Sequence, residues 1–176
     1  MTDRDDIVEL TIRYATAIDS KQYALLQDVF TDDATVDYGV VERLSPLIRR
    51  IIARNPSPFT FHGTGTYIVG NGAVAVIDPG PALDDHVQAI LDGLDPGETV
   101  SHQIITHTHR DHSPAAAPLA AITGAPVVGC APLHIHSDAP RVDAPFDQSY
   151  TPGRVMEHGE AMTGPGWTLT AVATPG

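Results

Sequence analysis

A chain of 176 residues with 42% hydrophobic content is long enough for one domain with a real core, and 18% charged content does not read as disorder. Ten basic against 22 acidic residues leave a net charge of −12, which argues against nucleic acid or an anionic membrane and favours a small-molecule substrate or a metal. No apolar run approaches the roughly 20 residues of a membrane span, residues 1–6 are acidic with no signal-peptide core after them, and the single Cys130 permits no intrachain disulfide, so a cytoplasmic protein is expected.

Ile7, Leu10, Tyr14 and Ile18 recur at helical spacing, with Thr2 or Asp3 placed to cap the first turn. A second short helix is predicted over residues 23–29, a turn at Thr31-Asp32-Asp33, and a strand over residues 34–38 that Gly39 breaks. From Val40 the pattern changes. Leu47, Ile48, Ile51 and Ile52 form an apolar stretch whose period fits strand and helix alike. Asn55-Pro56-Ser57-Pro58 predicts a rigid turn, followed by a short apolar run over residues 59–61. Residues 66–69 and 73–77 predict two strands, and Gly70-Asn71-Gly72 between them predicts a hairpin. A helix is predicted over residues 84–91, a buried strand over 102–105, a second helix over 114–122 with Pro114 at its opening, and further strands over 127–128 and 168–172. This alternation is the pattern of an α/β (α+β) layer structure, and no internal repeat interrupts it.

Four of the nine histidines fall within residues 102–112. Imidazole and carboxylate are the donors that suit zinc or iron. His107 and His109 lie two apart, so at an extended strand end both side chains face one side and reach one ion. Asp111 and His112 follow after a turn and can aim at a second ion. Strand 102–105 would deliver this loop to the C-terminal end of a sheet, where α/β proteins commonly place their sites. The alternative, a polar loop with accidental histidines, fits poorly with three histidines and an aspartate in six residues. His134 and His136 share ligand-pair spacing but read better as a polar face beside a loop. His62, His86, His102 and His158 read as surface or hydrogen-bonded histidines, and Cys130 as a small buried apolar residue.

His107-x-His109-x-Asp111-His112 resembles the signature of the metallo-β-lactamase superfamily. Residues 75–80, ending Asp78-Pro79-Gly80, resemble that family's upstream strand and turn. Residues 63–69 resemble its first hairpin, and residues 155–159, 166–169 and 174–176 the strands leading to its third metal histidine. The match spans about residues 40–176 and is closest to glyoxalase II-like, thioesterase or endoribonuclease relatives. It implies the first half of an αββα sandwich holding two ions, expected to be zinc, with iron or manganese equally acceptable to these ligands. His107 and His109 would bind one ion, and Asp111 and His112 the other; Asp111 would also orient the attacking water. Asp78 is implied as a carboxylate supporting the loop, although a turn-forming role before Pro-Gly explains it as well. The implied activity is hydrolysis of an ester, thioester, lactam or phosphodiester by a metal-bound hydroxide. The family pattern continues with a histidine after Thr174-Pro175-Gly176, where this sequence stops. The expectations are therefore a truncated domain, weak or absent activity, and a sheet face with nothing against it that invites self-association.

Residues 7–39 resemble a different family, the SnoaL-like group of NTF2-like α+β barrels, through Arg13-Tyr14-Ala15, residues 17–21, residues 29–34 and residues 36–39. The expected division is a SnoaL-like fragment over residues 1–39 and a metallo-β-lactamase-like domain over residues 40–176. In scytalone dehydratase-like members of that group, an Asp and a Tyr matching Asp19 and Tyr38 take part in acid/base chemistry. Helix-end capping for Asp19 and strand packing for Tyr38 are the readings favoured here, since a catalytic cavity needs the rest of the barrel. The competing functions are thus a metal-independent dehydratase, isomerase or ligand-binding module, and a non-catalytic remnant that pairs with another chain.

Overall fold

The computed structural model describes Arg13, residues 39–133 and residues 146–174. The chain divides into two compact units, Met1–Val36 and Asp37–Gly176. The described elements belong to the second unit, and the helices and strand expected before Gly39 lie outside the described residues apart from Arg13, which is helical.

Seven strands form one mixed sheet in sequence order: β1 (Glu42–Ser45), β2 (Ile48–Ile52), β3 (Gly65–Val69), β4 (Ala73–Ile77), β5 (Thr99–Ile105), β6 (Val127–Gly129) and β7 (Arg154–Val155). The first four pair antiparallel, and β4 to β7 pair parallel. Helix α1 (Asp84–Asp92) joins β4 to β5, and α2 (Ala116–Thr123) joins β5 to β6. A separate hairpin consists of β8 (Ala161–Gly164) and β9 (Trp167–Thr170).

The ambiguous stretch at Ile48 and Ile51 is strand β2, paired with β3 from Ile48↔Val69 to Ile52↔Gly65. The expected hairpin forms at Gly70-Asn71-Gly72, with Val69 opposite Ala75. Gly70 serves two ends there: its φ is +106°, and a Cβ would lie 2.3 Å from the Trp167 ring. The apolar run at residues 59–61 is not a strand but a turn, where Ser57 bridges Phe61 and the Ser57 hydroxyl accepts from the backbone N–H groups of Phe59 and Thr60. The helix expected to open at Pro114 starts two residues later, at Ala116, and closes on Gly124 in the left-handed conformation. Residues 171 and 172 fall beyond β9, and residues 156–159 beyond β7.

Strand β4 explains why its sequence does not alternate: Val74, Ala75 and Val76 are all buried because both faces of the sheet are covered. On one face Ile51, Ile68, Val74 and Val76 pack with Val87 and Ile90 of α1 and Leu119 of α2. On the other, Val69, Ala75 and Val128 meet Met162 and Trp167 of the hairpin, with Ile77, Ile104 and Leu169 around them. The expectation of a bare sheet face is therefore corrected. The β8–β9 hairpin covers part of it, and Trp167 Nε1 donates to the Ala73 carbonyl at 3.0 Å. A cavity of about 640 Å³ remains beside the hairpin, bounded by Ile77, Ile104, Cys130, Met156 and Leu169.

A buried ion pair ties the amino-terminal ends of β4 and β5 together. Arg49 of β2 is 1% exposed, and its guanidinium grips Glu98 at 2.6 and 3.1 Å while donating to the Gly93 and Gly70 carbonyls. Glu98 also accepts from the backbone N–H of Asp95 and of Gly72. Every charge in this cluster thus has several partners, which is the condition for tolerating it inside a protein.

Candidate metal centre

The opposite, carboxyl-terminal ends of β4 and β5 carry the histidine loop. β4 ends at Ile77 and delivers Asp78; β5 ends at Ile105 and delivers Thr106 and the loop after it. Asp78 has φ +47°, a left-handed conformation that aspartate tolerates better than most residues, and Gly80 continues the turn at φ +89°. Asp78 forms the turn, and its buried carboxylate accepts from the Thr106 N–H at 2.8 Å, the Thr106 hydroxyl at 2.6 Å and His112 Nδ1 at 3.0 Å.

These bonds determine which ring nitrogens face the site. A carboxylate only accepts, so His112 Nδ1 donates and leaves Nε2 facing away from Asp78. The Thr106 hydroxyl uses its one proton on Asp78, so its oxygen accepts from His107 Nδ1 at 2.9 Å, and His107 likewise keeps Nε2 for a ligand. The His107 and His112 ring centroids are 4.0 Å apart. His109 stands edge-on to His107 at 4.9 Å, against the Phe146 ring at 4.6 Å, with its Nε2 buried and unpaired. A buried ring nitrogen without a partner costs free energy unless something binds it.

Asp111 lies on the far side of His112, its Oδ2 3.3 Å from His112 Nε2 and accepting the Thr64 hydroxyl at 2.7 Å. Thr64 is held in turn by Asn55, which bonds both its hydroxyl and its backbone N–H. Burial alone would raise the Asp111 pKa, but the bonds from His112 and Thr64 outweigh it and hold the carboxyl well below its ordinary range. Burial likewise pulls His112 down, and its bonds to Asp111 and Asp78 outweigh that, pushing it up to about 9. His107 is lowered, first by burial and then by the neighbouring His112 charge. Without a metal, His112 is therefore an imidazolium bridging two carboxylates, and the same nitrogen is free for a cation once its proton leaves.

The sequence-based pairing of His107 with His109, and of Asp111 with His112, is only part of what the fold assembles. His107 sits as near to His112 as to His109, and donor atoms of Asp78, His107 and His112 lie within 4.8 Å of one another. The Asp78 oxygens in that group are also engaged by Thr106 and His112. The donors fit a zinc-like ion in kind, nitrogen with carboxylate oxygen, and the unpaired His109 Nε2 gives such an ion a place to bind. Sequence reading passed over Thr64, Thr106, Asn55 and Phe146. Thr106 was discoverable as the residue that joins β5 to the loop; the others act across 9 to 47 positions and left no local signal.

The remaining candidates lie elsewhere. Of the two readings of His86, surface or hydrogen-bonded, the second holds: it is buried and bonds Thr66 through Nε2. The His102 Nδ1 is buried without a partner, and His158 accepts from the Ala173 N–H. Cys130 is a half-buried free thiol whose pKa is raised by burial, as expected of a small apolar residue. Asp19, Tyr38, His134 and His136 lie outside the described residues.

Residues 60–176 match the model of the metallo-beta-lactamase superfamily. The chain belongs to that superfamily. Residues 1–69 match a SnoaL-like domain. Among curated relatives, the atrochrysone carboxyl ACP thioesterase dmxR1 of Cryptosporiopsis sp. (strain 8999) is 41% identical over 75 residues, which cover 42% of this chain and 23% of that protein. The beta-lactamase-like protein 2 homolog of Caenorhabditis elegans is 37% identical over 75 residues, covering 41% of this chain and 25% of that protein. The chain matches only about a quarter of the length of these relatives. Among solved structures, MEM-A1, a subclass B3 metallo-beta-lactamase isolated from a soil metagenome library, superposes with a TM-score of 0.60 at 18% identity, over 80% of this chain and 54% of that one. This likeness bears out the expected α/β fold of the superfamily. Among the described residues, no helix is long and apolar enough to cross a membrane.

Proposed function

We propose that this chain carries the metal-binding loop of a metal-dependent hydrolase acting on a thioester or ester, with His107, His109 and His112 presenting imidazole nitrogens to zinc and Asp111 at their edge. The observation that carries the reading is that Thr106 and Asp78 engage Nδ1 of His107 and of His112, which leaves Nε2 of His107 for a ligand and Nε2 of His112 facing Asp111, beside a His109 whose Nε2 is buried and unpaired. Such an ion, when bound, supplies the Lewis acidity that makes a water nucleophilic at neutral pH and polarises a carbonyl. The residues of the chain do the rest. Asp78 orients His112, Thr106 orients His107, and Phe146 fixes the His109 ring. Asp111, kept ionised by Thr64 and His112, orients the attacking water. The thioester preference draws its support from the curated relatives, several of which are named as ACP thioesterases. We also assign residues 1–39 to a SnoaL-like unit and residues 40–176 to the hydrolase unit, and place the protein in the cytoplasm, where Cys130 would stay reduced.

Metal content of the purified chain tests the reading. Zinc, iron or manganese should be retained by the wild type and lost in the His107→Ala/His109→Ala variant; equal content in the two would sink it. Chelator-sensitive release of thiol from a short acyl thioester tests the substrate class. Turnover that survives chelator and falls with Asp19→Asn would favour the dehydratase or isomerase alternative.

A further inference from the structure

The Asp78-Pro79-Gly80 elbow is gripped from behind by two residues that the metal reading does not use. Thr66 is fully buried and His86 is 2% exposed. The Thr66 hydroxyl donates to the Asp78 carbonyl at 2.7 Å, and the same oxygen lies 2.9 Å from His86 Nε2. A hydroxyl has one proton to give. With that proton on the Asp78 carbonyl, Thr66 meets His86 as an acceptor, and Nε2 must carry the ring hydrogen. The reverse assignment would deny the carbonyl its Thr66 bond and put a hydrogen on Nδ1, which is buried with no partner. Burial lowers the His86 pKa, which favours the neutral ring with one N–H to place.

Gly80 fits closely around this pair. A Cβ there would lie 2.8 Å from His86 Nε2 and 3.3 Å from Thr66 Oγ1. On its other side, the Gly80 N–H donates to the His112 carbonyl and its own carbonyl accepts from Ala115, both at 2.9 Å. The elbow thus lies between the buried pair and the end of the histidine loop.

We propose that His86 and Thr66 are positioning residues for the metal centre: a relay from His86 Nε2–H to the Thr66 hydroxyl to the Asp78 carbonyl fixes the left-handed elbow from which the Asp78 carboxylate holds Thr106 and His112. This rests on the metal reading above for its functional meaning, but the relay itself is visible without metal. It gives a reason for three residues whose identities have no ligand role: a threonine inside β3, a histidine on the buried face of α1 and a glycine in the turn.

The test is nitrogen-resolved NMR of the histidine rings in the full metal-free chain, joined to zinc affinities by chelator competition. At pH 8 His86 should be the Nε2–H tautomer; an Nδ1–H tautomer would overturn the relay whatever the variants do. Thr66→Val should weaken zinc at least about tenfold and erase the hydrogen-bonded His112 Nδ1–H signal, while Thr66→Ser stays within about threefold of wild type. Should Thr66→Val not fold, His86→Gln, whose amide can donate to the same hydroxyl, should keep zinc affinity within about threefold where His86→Leu does not. Unchanged zinc affinity in folded Thr66→Val or His86→Leu, or a His112 signal that persists in them, refutes the proposal. If the wild type takes no zinc at all, the metal reading fails, and the His86 and His112 resonances still decide the relay.

Discussion

Replacing Asp78 with Asn removes one oxygen and leaves everything else in place. The backbone cost is small, since asparagine tolerates the left-handed conformation that Asp78 adopts at φ +47°. The Oδ1 bond to the Thr106 N–H can survive. At the Oδ2 position an NH₂ group now faces the Thr106 hydroxyl and His112 Nδ1, which the carboxylate had engaged at 2.6 and 3.0 Å. An amide nitrogen cannot accept, so His112 must give up its Nδ1 hydrogen to present that lone pair, and its remaining hydrogen then sits on Nε2, the nitrogen a metal needs. Loss of such an orienting partner typically weakens metal binding about 10- to 100-fold, or about 1.4 to 2.7 kcal/mol. The two lost bonds to a charged acceptor should also lower stability, by about 1.5 to 3 kcal/mol each before relaxation. Zinc competition against a chromophoric chelator reads the first effect, and urea unfolding followed by Trp167 fluorescence reads the second. A folded Asp78→Asn protein that binds zinc as tightly as wild type would refute the tautomer argument.

Proton and metal should compete at His112. Its pKa in the folded, metal-free protein is raised to about 9, so the stability it contributes is full below its ordinary value of 6.5 and is lost as pH rises towards 9; zinc affinity should rise over that same window. Urea midpoints and zinc dissociation constants measured from pH 6.5 to 9 check both slopes, and Asp111→Asn should flatten them. At the other end of the sheet, Glu98→Gln leaves the buried Arg49 charge with only the half-exposed Asp95, 3.5 Å away, and should cost up to about 3 kcal/mol in urea unfolding. The Glu98 pKa is lowered because Arg49 and two backbone N–H groups outweigh burial, so wild-type stability should hold above about pH 4.5 and fall as pH drops below it. Trp167→Ala opens the face of the sheet under the β8–β9 hairpin and should cost about 3 to 5 kcal/mol, measured by circular dichroism in urea.

The loop at His107 to His112 was legible because its chemistry is written consecutively, and the strands and helices around it because Gly70-Asn71-Gly72 and the apolar runs are local signals. What escaped the sequence is what folding supplies at long range. Asp78 and His112 are 34 positions apart, Thr64 and Asp111 are 47 apart, and nothing in either segment announces the other. The turn from His109 to His112 swings His112 back beside His107, which a two-residue strand period could not anticipate. The run at residues 59–61 misled for the opposite reason: Phe59 is 66% exposed, so its apolar character reports no burial at all. His86 read as a surface or hydrogen-bonded histidine and the second holds, but its partners stayed hidden because Thr66 and the Asp78 elbow come from other elements.

Strand β5 has the Arg49–Glu98 clamp just before its first residue and the histidine loop just after its last. Seven residues of strand put about 23 Å between those two ends, far beyond the range over which substitutions usually influence one another. The scaffold is therefore modular along its own axis. A hydrophobic replacement of the whole ion pair, of the kind that often strengthens a core, would add stability at one end without altering zinc affinity at the other, and the reserve so gained could absorb the destabilising substitutions that reshaping a metal site demands.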